Sequence, residues 1–121
     1  MKNNKEILDE FGEILITNVF DSSYELINNS IATFKNTEGY KNLFNNITLE
    51  GKKEFDSIIF DRLHGALFNF LKIFEENEKF KIVYEENGEQ INLVEISEML
   101  KSEIFHEDGW IARFSKEINR N

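Results

Sequence analysis

The chain has no cysteine and no proline among its 121 residues, and only one tryptophan, two histidines and six glycines. Without cysteine there is no disulfide, no thiolate nucleophile and no cysteine-ligated zinc, so the fold must stand on its core alone. That usage suits a reducing cytoplasm. Without proline there is no X–Pro bond to isomerise and no proline-rich linker. The six glycines are scattered singly. No phosphate-cradling G-x-x-x-x-G-K-[ST], dinucleotide G-x-G-x-x-G or nucleophile-elbow G-x-S-x-G motif can be assembled from them. The N-terminus Met1-Lys2-Asn3-Asn4-Lys5-Glu6 lacks the apolar run and small-residue cleavage site of a secretory signal.

Basic residues are also short. Fourteen Lys and Arg face 23 Asp and Glu, for a net charge of −9. A surface of that sign repels phosphate backbones and anionic lipid, so neither nucleic acid nor a membrane is an expected partner. It would attract and steer a basic protein.

The chain is rich in apolar side chains: 40% hydrophobic residues and twelve phenylalanines. That is enough for one domain spanning 1–121, burying roughly two thirds of its unfolded surface. The longest apolar-rich run is Phe55–Phe74. At about 100° per residue, Phe55, Ile59, Phe60, Leu63, Ala66, Leu67, Phe70, Leu71, Ile73 and Phe74 fill an arc of roughly 160°. A surface helix needs a stripe only somewhat over 100° wide, so this run reads as the central helix. Asp56, Asp61, Arg62, His64 and Lys72 exclude a lipid-facing span. Ile58 and Phe68 fall on the back with Asp61, His64 and Gly65. An apolar group there needs a cover, from the hairpin, another helix or a partner.

Around this helix the pattern predicts a mainly helical α+β domain of about five or six helices and one hairpin. Helix one spans about Asn4–Phe20, with Ile7, Leu8, Phe11, Ile14, Leu15 and Val19 on one face. Gly12 inside it suggests close packing or a weak point. Ser22-Ser23-Tyr24-Glu25 reads as a capping box opening a second helix to Phe34. Asn36–Gly39 is a turn. Tyr40, Leu43, Phe44 and Ile47 give a short third helix. Thr48 caps the central helix, which runs over roughly 49–77.

The period then changes to two, with Phe80, Ile82 and Tyr84 on one face. Asn87-Gly88 is the strongest short-range hairpin signal, since a type I′ turn needs positive φ at both positions. Over roughly 79–94 it pairs Tyr84 with Ile91 and Ile82 with Leu93. Beyond this, either Asn92 caps a helix through Ile104, or the strand continues to Ile96 and a helix starts at Ser97. Asp108 is positioned to cap a last helix carrying Trp110, Ile111, Phe114 and Ile118, with Trp110 as a core anchor.

The chemistry-bearing candidates are few. Asp61 precedes His64, and Glu103 precedes His106, each by three residues. In di-metal bundles such acid–histidine pairs on two helices ligate the ions, which makes a small metal-dependent enzyme one alternative. With acids this abundant, chance pairs are expected, and no catalytic, cofactor or metal residue is assigned. Gly65 among strong helix formers reads as a close approach by a neighbouring helix. Glu75, Glu76 and Glu78 oppose the macrodipole at the end of the central helix, and Glu85, Glu86 and Glu89 flank the hairpin turn. Local rules broken without compensation often mark function. These six glutamates, with Asp61, His64 and Phe68, are therefore the candidate partner-binding residues. The expected function is a non-catalytic, cytoplasmic protein-binding module, such as an immunity protein or antitoxin that neutralises a basic protein. A homo-oligomeric structural or regulatory protein is a further alternative.

Overall fold

A computed structural model describes residues 2–118. Helix α1 (Asn4–Leu15) starts where the Asn3 side chain accepts from the Glu6 N–H. It runs without a break through a π-helical segment (Ile16–Asp21) into α2 (Ser22–Asn29). The capping box therefore does not form: Ser22 is in a helical conformation and caps nothing. The reason is burial. The wider turn brings Ile16, Phe20 and Asp21 inward together, and a cap at Ser22 would interrupt that packing. Ile14 and Val19, expected inward, are exposed: the buried face of α1 runs through Ile7, Leu8, Gly12 and Leu15, and that of the π segment through Ile16 and Phe20.

A short α3 (Ile31–Phe34) and α4 (Lys41–Asn46) follow, and then α5 (Leu49–Glu76). The Thr48 side chain accepts from the Gly51 N–H, the expected N-cap. The hairpin pairs β1 (Val83–Glu86) with β2 (Glu89–Asn92). Its register sets Tyr84 against Ile91, and the Leu93 N–H donates to the Ile82 carbonyl at 3.0 Å, as the turn requires. Asn87 and Gly88 have φ of 54° and 81°. Phe80 does not join the strand face; it lies before β1 and is 64% exposed.

Past the hairpin the first alternative holds in part. The Asn92 side chain caps through the Val94 N–H, but the helix α6 (Leu93–Ile96) is a single turn. A 3-10 turn (Leu100–Ile104) follows. Helix α7 (Trp110–Phe114) is preceded by Gly109 with no side-chain cap, so Asp108 does not play that role. The fold is mainly helical α+β, with α5 as the long helix on which other elements pack.

The tightest burial is around Trp110, which is fully enclosed. It meets Phe11 edge-on at 5.8 Å and packs flat on Gly12. A Cβ at Gly12 would lie 2.5 Å from three indole atoms, so the glycine is there for close approach. Ile7, Ile16, Phe20, Leu93, Leu100, Ile104 and Ile111 complete the core. The buried Asp21 carboxylate ties the C-terminal segment to the π turn, accepting from the Ser115 hydroxyl at 2.7 Å and the Lys116 N–H at 2.8 Å.

From α5 only Leu67 and Leu71 are fully buried. Phe60, Leu63 and Phe68 pack partly on the core. The covered side of α5 is thus turned by roughly 70° from the middle of the apolar arc, at about 100° per residue. Phe70 and Ile73, inside that arc, stay 45% and 46% exposed. Gly65 corrects a second expectation: nothing lies within 4 Å of where its Cβ would be, so no helix packs there.

Candidate functional site

The back of α5 is covered at His64 and Phe68, while Ile58 stays 56% exposed. The 3-10 turn lies along it, and Phe105 stacks on both His64 (4.8 Å between centroids) and Phe68 (5.3 Å). Lys101 reaches over the Phe68 ring at 5.7 Å. Its backbone N–H donates to Glu75 Oε1 at 2.6 Å, and its Nζ is 3.4 Å from Glu75 Oε2. Phe68, His64 and Glu75 therefore join α5 to the 3-10 turn. Burial holds the His64 pKa below its usual value, against the pull of Asp61. Asp61 is exposed. Glu75 needed a long-range partner that no local pattern could announce.

Of the hairpin glutamates, Glu85 and Glu89 are exposed and Glu86 is half-buried. The I′ turn folds the strands back so that Glu86 stands directly opposite Glu89, and Glu85 opposite Gln90. Like charges in facing positions destabilise a strand pair. Glu86 accepts from the Tyr84 hydroxyl, which raises the Tyr84 pKa. Glu85 accepts from Gln90 Nε2 at 3.0 Å. Among the described residues, no cation comes within ion-pair distance of Glu78, Glu85, Glu86 or Glu89. Glu76 has only an exposed i,i+4 contact with Lys72 at 3.6 Å.

A third feature went unseen in the sequence. A cleft of about 700 Å³ opens between α1, the loop around the 3-10 turn and the start of α7. Leu8, Ile96 and Met99 give it an apolar wall; Lys5, Asp9, Glu103, His106, Asp108 and Arg113 give it charge. Arg113 is committed: Nη2 is 2.8 Å from Asp9 Oδ1, and Nε donates to the Asp108 carbonyl at 2.6 Å. That contact draws the Asp9 pKa down. Lys5 holds the other Asp9 oxygen at 2.7 Å. Among the described residues Glu103 has no ion pair, and burial pushes its pKa up, with Asp9 adding to the effect. The Ser97 hydroxyl lowers that pKa from nearby, although it is buried without a partner in good hydrogen-bond geometry. The cleft joins residues about a hundred positions apart, such as Asp9 and Arg113, so no window of sequence contains it.

Glu103 and His106 line this cleft, whereas Asp61 and His64 belong to α5. The four are not gathered into one metal site: among the described residues, no three His, Asp or Glu side chains are placed to hold an ion. Nor is any described helix long and apolar enough to cross a membrane. Comparison with protein-family models, curated proteins and solved structures finds no match.

Proposed function

We propose that this chain is a small acidic protein-binding module without catalytic activity, which neutralises a basic protein in the manner of an immunity protein or antitoxin. The contact face is the hairpin tip, with Glu85, Glu86 and Glu89, together with Glu78 just past the end of α5. The observation carrying this reading is the facing pair Glu86 and Glu89, neither of which has an ion pair among the described residues. A row of Lys or Arg on a partner would relieve that repulsion, and the net charge of −9 would speed encounter at low salt. In this reading the module works in the cytoplasm and avoids nucleic acid and anionic membranes.

The test takes a basic protein encoded beside this chain as the candidate partner. Its binding is measured by calorimetry for the wild type and for Glu85→Lys/Glu86→Lys/Glu89→Lys. The reading expects at least a tenfold loss of affinity, weaker salt dependence and a nearly unchanged Tm. Equal affinity with the triple variant would overturn it.

A further inference from the structure

The apolar arc of α5 is wider than the face its own chain covers, and the uncovered part is ordered. Ile59, Leu63, Ala66, Phe70 and Ile73 alternate at spacings of four, three, four and three. That is the a/d rhythm of a coiled-coil seam. Ala66, Phe70 and Ile73 are exposed; Ile59 and Leu63 are half-buried. Phe60, Leu67 and Phe74 flank the seam on the side facing the core, where Phe60 and Leu67 pack. On the other flank, at seven-residue spacing, are Arg62, Asn69 and Glu76, all exposed.

We infer that this seam is closed by a second copy of the chain, with the two α5 helices antiparallel about a twofold axis near Phe68. In antiparallel pairing, a positions meet d positions of the other helix. This axis puts Phe70 over Ala66 of the second copy and Leu63 against its Ile73, and the reverse by symmetry. Each layer then joins a larger side chain with a smaller or matching one. The same axis sets Arg62 of one copy opposite Glu76 of the other, twice, and Asn69 beside its own equivalent. Arg62 has no ion pair among the described residues, so it is free for that role. A parallel arrangement would set Phe70 on Phe70 and turn the Arg62–Asn69–Glu76 flank toward the partner's Phe60–Leu67–Phe74 flank, where Arg62 finds no acid. The charge order thus selects the antiparallel dimer, an isologous contact of the kind most homodimers use.

The seam from Ile59 to Glu76 is about 26 Å long at 1.5 Å per residue. Light scattering and sedimentation equilibrium up to roughly 500 µM would resolve even a dimer with a Kd near 100 µM. A concentration-dependent dimer is expected. Phe70→Glu should be monomeric with its helical circular dichroism intact, because Phe70 is half-exposed in the monomer. Arg62→Glu should weaken association at least fivefold, and Arg62→Glu/Glu76→Arg should restore it. A wild type that stays monomeric at the highest concentration, or a double exchange that fails to restore pairing, would overturn the inference.

Discussion

Gly12→Ala should destabilise this protein, although the same change at most exposed helix positions stabilises. Alanine gains about 1 kcal/mol over glycine within a helix. Against that, the new methyl would lie 2.5 Å from Cγ, Cδ2 and Cε2 of Trp110. Comfortable carbon–carbon contact is about 3.5–4.0 Å, so the ring must retreat by roughly 1 Å. It has nowhere to go: Trp110 is fully buried, and Phe11 meets it edge-on at 5.8 Å. Overpacking of this kind costs about 2–3 kcal/mol. The net loss is about 1–2 kcal/mol, which for a domain of this size lowers the Tm by about 3–10 °C.

Gly65→Ala is the matched control. It is also mid-helix, but nothing lies within 4 Å of its Cβ position, so it should gain about 1 kcal/mol. Thermal and urea denaturation give both values. Trp110 is the only tryptophan, so its fluorescence reports any displacement directly. Gly12→Ala with stability equal to or above the wild type, and an unchanged Trp110 emission, would refute the close-packing argument.

Two further outcomes concern pH. Burial holds the folded-state pKa of His64 below its usual value of 6.5, so its contribution is complete above 6.5 and is lost as pH falls from there through the lowered value. His64→Phe keeps a ring against Phe105 and should flatten the decline in Tm between about pH 7 and 5; an unchanged decline would sink this assignment. Glu103 is the opposite case. Burial raises its folded pKa above the usual value of 4.5, so its ionisation costs stability, a cost that builds as pH rises from 4.5 through the raised value and persists above it. Glu103→Gln should therefore be more stable than the wild type at neutral pH and converge with it in acid. A Tm difference independent of pH would show that the carboxyl charge is not the cause.

Much of the local architecture was legible because local rules wrote it. Thr48 opens α5 because a side-chain oxygen can serve the orphan N–H of Gly51. Asn87-Gly88 places the hairpin and fixes its register because few residues tolerate positive φ twice in succession. The shift in hydrophobic period separates α5 from the strands. The Ser22 box failed because a capping signal is only an offer of one hydrogen bond, and the burial of Ile16 and Phe20 outweighs it. Of the candidate residues, Glu85, Glu86 and Glu89 were found where the turn puts them. Glu75, His64 and Phe68 were drawn into contacts with Lys101 and Phe105, some 26 to 41 positions further along the chain.

The sequence by itself determined the long helix, the hairpin register, the acid excess and the wide apolar arc of α5. Those follow from neighbours in the chain, whose geometry is set by φ and ψ preferences and by side-chain period. Only the tertiary structure decided which part of that arc is covered, that Gly12 receives an indole while Gly65 receives nothing, and that Asp9 meets Arg113. Each depends on how elements far apart in sequence approach one another, and side-chain period carries no information about which neighbour arrives or from which side.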